Sequence, residues 1–400
     1  MVGLFTFDGP MYRDCNGIYC NTTITNEMLN RYFSVIDKLK VLIRTIPLNG
    51  SYTSYHLNKV EISSNLEIIE LPNLNSPINF LTRRKFISII EEIISEVDLC
   101  FLRIPSIISN MAADICKKQN KPYLVEVGGC AWDSYFNHSI LGKIIAPYMF
   151  FKQRSTVKDA FLASYVTEKW LQKRYPTKAK KSIVASNVYL QNFDEENINR
   201  RIEIYNNSSK VYKLGTIAAV DVPYKGQAYI IKALKLLKEE GIILHYELVG
   251  RGDESRLKKL AYKYGIEDQI HFLGTKLHED IWDWLDQIDI YAQPSKQEGL
   301  PRAVIEAMNR GCLVIGSDTA GIPELIEEDM IFKSGDIKQI VNIIKSILTE
   351  KDFSLRIKRN FERTKSFDLD LLKNRRRFLF EEFKESVQNS KIKLLKEELC

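Results

Sequence analysis

The chain has 400 residues, 45% of them apolar and 27% charged, a globular composition whose length exceeds one ordinary core and suits two domains. No run of about 18 apolar residues is present to cross a bilayer, and the start, MVGLFTFDGP, lacks the basic and long apolar regions of a signal peptide. The seven cysteines are scattered without a CxxC pair, which points to reduced thiols in a cytoplasm and against a zinc site or disulfide frame. The net charge of +6 is uneven: residues 1–190 hold 23 Lys and Arg against 16 Asp and Glu, a net of +7, and the rest carries −1. A basic half suits nucleic acid, an anionic membrane or an anionic substrate.

Along the chain, short apolar runs alternate with amphipathic stretches. The pattern predicts strands at 2–6, 40–46, 66–70, 98–102, 122–127 and 160–165, with helices such as 83–96 and 105–119 between them. The polar segment 186–209, rich in Asn and Ser, reads as a domain junction. The alternation then restarts, with strands at 210–215, 243–249, 269–273, 288–292 and 312–316 and helices at 226–240, 254–264, 277–286, 301–310 and 336–349. This βαβα order predicts an α/β protein of two Rossmann-like domains with a cleft between them: 1–190, 191–370, and a charged helical tail, 371–400, that packs back on the first domain.

Residues 289–327, DIYAQPSKQEGLPRAVIEAMNRGCLVIGSDTAGIPELIE, are the most informative. A strand ends in the loop 294–300, and a helix is predicted to start at Pro301, where a missing N–H costs nothing. The amides of Gly299, Leu300, Arg302 and Ala303 then surround a helix N-terminus, a site for phosphate or sugar oxygens, and Gly299 allows close approach of a ligand. Glu298 on the loop and Glu306, about 7.5 Å along the helix axis from Pro301, suit the two ends of one extended ligand with a phosphate between them. A close acid/base pair of the glycosidase kind is not expected. A nucleotide-sugar has that extended form.

This stretch resembles the C-terminal signature of glycosyltransferase family 4, a retaining family of GT-B fold. The resemblance lies in the E-x7-E element Glu298–Glu306, the run to Ile315, and Gly321, Pro323 and Glu324. Upstream it takes in Lys225-Gly226, the turn Gly250–Gly252 with Arg251, and the strand ending His271-Phe272-Leu273-Gly274. It implies that Glu298 contacts the transferred sugar, Glu306 the ribose diol and Lys225 the pyrophosphate, with Lys225 and Glu298 as the catalytic pair and Phe272 and Leu273 near the base. The family's usual arginine after the first C-domain strand is missing. Gly215 is followed by Thr216, which takes that place among the expected donor contacts, and Arg251 and Arg302 are candidate substitutes.

In the N-terminal half, Asn16-Gly17 stands where the family often has a glycine-rich loop; an ordinary βα turn is the alternative. The segment VGGCAWDSYFNHS follows a predicted strand, at the end where open α/β sheets bind ligands. It offers Trp132 as a platform and Asp133 and His138 as hydrogen-bonding groups for an acceptor sugar, or else simple packing and capping. His56, His245, His271 and His278 are read as structural. Residues 140–158, apolar and aromatic with Lys143, Lys152, Arg154 and Lys158, allow an interfacial helix on anionic lipid; the alternative is a core helix with a solvated basic edge. The D-x-D at Asp368–Asp370 reads as a helix cap rather than a metal site.

The resemblance thus implies a cytoplasmic retaining glycosyltransferase, peripheral on the inner face of the plasma membrane. It would need no cofactor or metal and would act on a nucleotide-sugar and a glycan or lipid-linked acceptor, as in bacterial surface polysaccharide synthesis. The alternatives are a GT-B sugar-nucleotide epimerase, for which no spread of catalytic acids and bases is evident, and a nucleic-acid-binding protein, for which no recognition motif is present.

Overall fold

The computed structural model describes residues 1–48, 57–76, 79, 84–207 and 212–398, so His56 lies outside the described residues. The chain forms two compact units, Met1–Asn187 together with Lys373–Cys400, and Val188–Leu372.

In the first unit, seven strands run parallel in the order β5 (Leu66–Leu71), β3 (Lys38–Pro47), β1 (Val2–Arg13), β6 (Leu99–Ile104), β7 (Tyr123–Val127), β8 (Leu162–Tyr165) and β9 (Lys181–Val184). β6, β7 and β8 are buried throughout, as strands covered on both faces must be. β1 is more than twice the predicted length. Its register slips between Phe7 and Met11, and beyond this bulge it pairs antiparallel with β2 (Tyr19–Asn21), which pairs with β4 (Asn58–Val60). The bulge frees Asp8 to accept hydrogen bonds from Ser106 Oγ and from the amides of Ile107 and Ile108, at the start of the helix Ile107–Lys118.

The C-terminal helix Leu369–Glu398 supplies Leu379, Phe380, Phe383 and Val387 to the first unit's core. The Phe380 ring lies 5.4 Å from Tyr32 and 5.0 Å from Phe101. Beside them the buried Glu126 accepts from Arg31, Arg103 and Tyr32. These partners outweigh the cost of its burial and hold its carboxyl at about 2. Asp368 caps this helix through Leu371 N.

The second unit is a sheet of six parallel strands, β12 (Ile270–Gly274), β11 (His245–Val249), β10 (Lys213–Ile217), β13 (Ile290–Gln293), β14 (Leu313–Ser317) and β15 (Ile331–Phe332), in that order. The chain winds outward from β10 to β12, then crosses to β13 and winds the other way. The switch point, where doubly wound sheets bind ligands, therefore falls between the carboxyl ends of β10 and β13.

The change of unit at Asn187/Val188 falls within the polar segment 186–209, but much of that segment is structured: Glu195–Asn207 is a helix whose Ile198, Ile202 and Tyr205, spaced four and three apart, are buried in the second unit's core. The units change at Asn187/Val188 and Leu372/Lys373, against expected changes at 190/191 and 370/371.

Candidate active site

Two loops meet at the switch point of the second unit. After β10, the turn Pro223–Lys225 leads through Gly226 into the helix Gln227–Glu239. Gly226 has φ +79°, and a Cβ on it would lie 1.9 Å from the carbonyl oxygen of Pro294 in the loop after β13. Only glycine permits that approach. Lys296 N donates to Tyr224 O at 2.7 Å, a second tie between the loops.

The consequence is a direct ion pair: Lys225 Nζ is 2.7 Å from Glu298 Oε1. The same oxygen accepts from Gln293 Nε2 at 2.9 Å. Gln293 is buried at the end of β13, and its amide is oriented by Tyr291, whose hydroxyl donates to Gln293 Oε1 at 2.9 Å and accepts from Ile217 N. Glu298 Oε1 is thus occupied twice, while Oε2 has no hydrogen bond among the described residues. Gln293 and Tyr291 escaped the sequence reading. A lone polar side chain closing the apolar strand IYAQ was the available signal.

The helix of the motif is Arg302–Asn309, and Pro301 occupies its cap rather than its first turn, with extended dihedrals. Glu306 is almost wholly buried, and burial pushes its carboxyl up to about 7, with the Arg302 charge 3.9 Å away pulling the other way. Arg302, half exposed, also lies over the Tyr189 ring at 5.8 Å. Burial, with the Glu298 and Glu306 charges behind it, raises the Tyr291 hydroxyl well above its ordinary range. Leu300 turns its side chain into the core.

Gly250, Arg251, Phe272 and Leu273 lie at the carboxyl ends of β11 and β12. Gly250 N donates to Gly274 O, and a Cβ on Gly250 would meet Ala218 O at 2.0 Å. Arg251 is exposed and Leu273 partly so. These groups share the strand end with Lys225 and Glu298 but make no hydrogen bond or ion pair with them among the described residues.

Thr216 is a correction. It is fully buried, and its hydroxyl donates to Ala292 O at 2.6 Å and accepts from Tyr246 Oη at 2.7 Å, so it ties β10 to its neighbours and is shut off from a donor.

Asn16-Gly17 lies in the turn from the extended β1 into β2 rather than in a βα turn, and Asp14 Oδ1 accepts there from the amides of Asn16 and Ile18, an Asx turn. Gly17 does border a cavity of about 580 Å³ with Arg13, Thr45 and Glu70.

After β7, the helix Ala131–Phe136 carries Trp132 stacked on Phe136 at 5.5 Å and edge-on to Phe150. Asp133 faces Arg174 at 3.9 Å; burial raises its carboxyl while that guanidinium lowers it. His138 is exposed and makes no hydrogen bond or ion pair with Asp133 among the described residues. Among the described residues no group of three His, Cys, Asp or Glu is arranged to hold a metal, and no helix is long and apolar enough to cross a membrane.

The two Rossmann-like units, the second bearing a lysine–carboxylate pair and a buried glutamate, have the GT-B fold. The chain belongs to the glycosyl transferases group 1, whose model matches residues 194–364. It is 31% identical over 356 residues to protein CapJ of Staphylococcus aureus, covering 88% of this chain and 87% of CapJ. Over 130 residues it is 35% identical to the amylovoran biosynthesis glycosyltransferase AmsK of Erwinia amylovora, 30% of this chain and 32% of AmsK. Anabaena Alr3699/HepE, solved in complex with UDP, shares the fold with a TM-score of 0.61 at 16% identity, over 95% of this chain and 99% of that one.

Proposed function

We propose that the protein transfers a hexose-type sugar, with retention of configuration and without a metal ion, from a nucleoside-diphosphate-sugar to a saccharide or lipid-linked glycan. The setting is bacterial surface polysaccharide synthesis at the cytoplasmic face of the plasma membrane. The observation that carries this reading is the Lys225–Glu298 pair at 2.7 Å, formed by the two loops that flank the switch point. With donor bound, Lys225 moves its charge to the diphosphate, Glu298 Oε2 accepts from sugar hydroxyls and the Glu306 carboxylate accepts from the ribose diol. The anomeric carbon–oxygen bond to phosphate breaks, the acceptor oxygen bonds to that carbon, and its proton goes to the departing phosphate oxygen. No side-chain base is then required. Lys225 and the amides of Gly299, Leu300, Arg302 and Ala303 stabilise the charge that grows on the leaving group. The biosynthetic name of AmsK and the UDP held by HepE support the setting and the donor class.

The test is a donor-hydrolysis panel of UDP-, GDP- and other nucleotide-activated sugars, run with and without excess EDTA, with the anomeric configuration of any glycoside product read by NMR. Hydrolysis of one donor class, unaffected by EDTA, with a retained product supports the reading. Inversion, or activity lost with EDTA and restored by Mn²⁺, overturns the corresponding part.

A further inference from the structure

The helix Ile140–Lys158 has its polarity arranged the wrong way round for a surface helix. Its buried face is made of Gly142, Ala146, Met149, Gln153, Thr156 and Val157, four of the six small or polar. Its solvent face carries Ile140, Ile144 and Phe151, which are 83%, 72% and 65% exposed, with Leu141 and Tyr148 about half exposed beside them. At 100° per residue, Ile140, Ile144, Tyr148 and Phe151 fall within one narrow stripe. A soluble helix hides its apolar stripe in the core; this one has an inner face that already fits the core and a second, larger apolar face left over. Contiguous exposed apolar surface of this kind marks an interaction site.

Charge says what covers it. The helix has no Asp or Glu, and Lys143 and Arg154, both exposed, flank the stripe on one side. The neighbouring acids are already engaged: Asp114 with Lys152, Asp133 with Arg174 and Asp159 with Lys117. A second copy related by a two-fold axis would set Lys143 and Arg154 near their own counterparts with no free carboxylate between them. An anionic lipid surface has the complementary charge, and apolar side chains ringed by cations with Tyr and Phe among them suit its headgroup–acyl boundary. Lys152, counted by the sequence among the lipid-facing cations, is held by Asp114 and drops out of the set.

We infer that Ile140, Leu141, Ile144, Tyr148 and Phe151, with Lys143 and Arg154, form a docking face for an anionic bilayer. Lys143 lies over the Phe136 ring at 5.5 Å and Phe136 stacks on Trp132, so the face runs on into the candidate acceptor segment. A lipid-linked acceptor then needs no extraction: its anchor stays in the bilayer while its head group meets Trp132. That last step rests on the proposed function; the docking itself does not.

The experiment is co-sedimentation of the full chain with phosphatidylcholine vesicles, with and without phosphatidylglycerol, at low salt and in the absence of any donor. Phosphatidylglycerol vesicles are expected to retain the wild type. The Ile144→Asp/Phe151→Asp variant should lose at least about tenfold in partitioning, since each removes an inserted apolar group. Lys143→Gln and Arg154→Gln should each lose about fivefold, an effect that salt abolishes. All these side chains are exposed, so an unchanged melting temperature verifies the fold, and donor hydrolysis by the same variants, expected unchanged, separates failure of docking from failure of the enzymatic reading. Equal sedimentation of wild type and the double Asp variant overturns the inference. So does a concentration-dependent dimer in the ultracentrifuge that the double Asp substitution dissociates, because a second copy then covers the face.

Discussion

Glu306→Gln separates binding from stability at one position. The Glu306 carboxyl stands at about 7 against an ordinary 4.5, because burial penalises its charged form. A raised folded value means that the protonated residue is the comfortable one: its contribution to stability is fully present below about 4.5 and is lost as pH rises through about 7. At about 1.4 kcal/mol per unit, the raised value costs the ligand-free protein up to about 3 kcal/mol at pH 8 and less than about 1 kcal/mol at pH 5. The neutral amide avoids that cost, so Glu306→Gln should raise the melting temperature on the order of 5–10 °C at pH 8 and by only about 1–3 °C at pH 5. The same substitution removes the carboxylate from the ribose, and donor affinity at pH 8 should fall about ten- to a hundredfold. Wild-type affinity should itself weaken toward tenfold per pH unit below 7, where the site must first lose a proton, and the variant's should be flat. Thermal melts at the two pH values and calorimetric titration with a nucleotide-sugar, whose own phosphates do not titrate in this range, check these outcomes. An equal melting shift at pH 5 and pH 8, or the same pH dependence of binding in both proteins, would refute the argument.

Lys225→Ala is expected to lower turnover at saturating donor by about 10²–10³ while weakening donor binding much less, because the charge it meets develops in the transition state; near-normal turnover would transfer the role to Arg251 or Arg302. Gln293→Leu, which leaves Glu298 Oε1 to Lys225 alone, should cost about tenfold in kcat with a smaller change in donor KM; a pure loss of stability with intact kinetics would reduce Gln293 to packing. Turnover should persist in excess EDTA, and loss restored by a divalent ion would reveal a metal requirement. Phe380→Ala removes a ring wedged between Tyr32 and Phe101 and should destabilise the first unit by about 3–5 kcal/mol in urea unfolding; a cost below about 1 kcal/mol would mean that the tail helix adds little.

The strands were legible because buried parallel strands are short apolar runs, and β6, β7, β8, β13 and β14 all have that form. β1 was cut short because Asp8-Gly9-Pro10 carries every local mark of a turn; its continuation depends on pairing with β3 and on the helix that Asp8 caps, partners remote in sequence. The helix Glu195–Asn207 was hidden by its Asn-rich composition, although Ile198, Ile202 and Tyr205 had helical spacing. Lys225 and Glu298 were named singly from the motif. Their pairing, the Gln293 and Tyr291 support behind them and the withdrawal of Thr216 into the sheet are set by how β10 and β13 lie side by side, which composition and spacing do not encode.

The first unit is closed by a helix that follows the second unit in the chain. While the ribosome has delivered only residues 1–187, Tyr32 and Phe101 lack the Phe380 and Phe383 rings that cover them, and the slot stays open until the whole second unit has been synthesised. The second unit, continuous from Val188 to Leu372, has no such wait. Order of synthesis and order of completion are therefore reversed, and the nascent first unit exposes an aromatic groove for the time needed to translate Val188–Leu372, the interval in which chaperone capture or a wrong partner is most consequential.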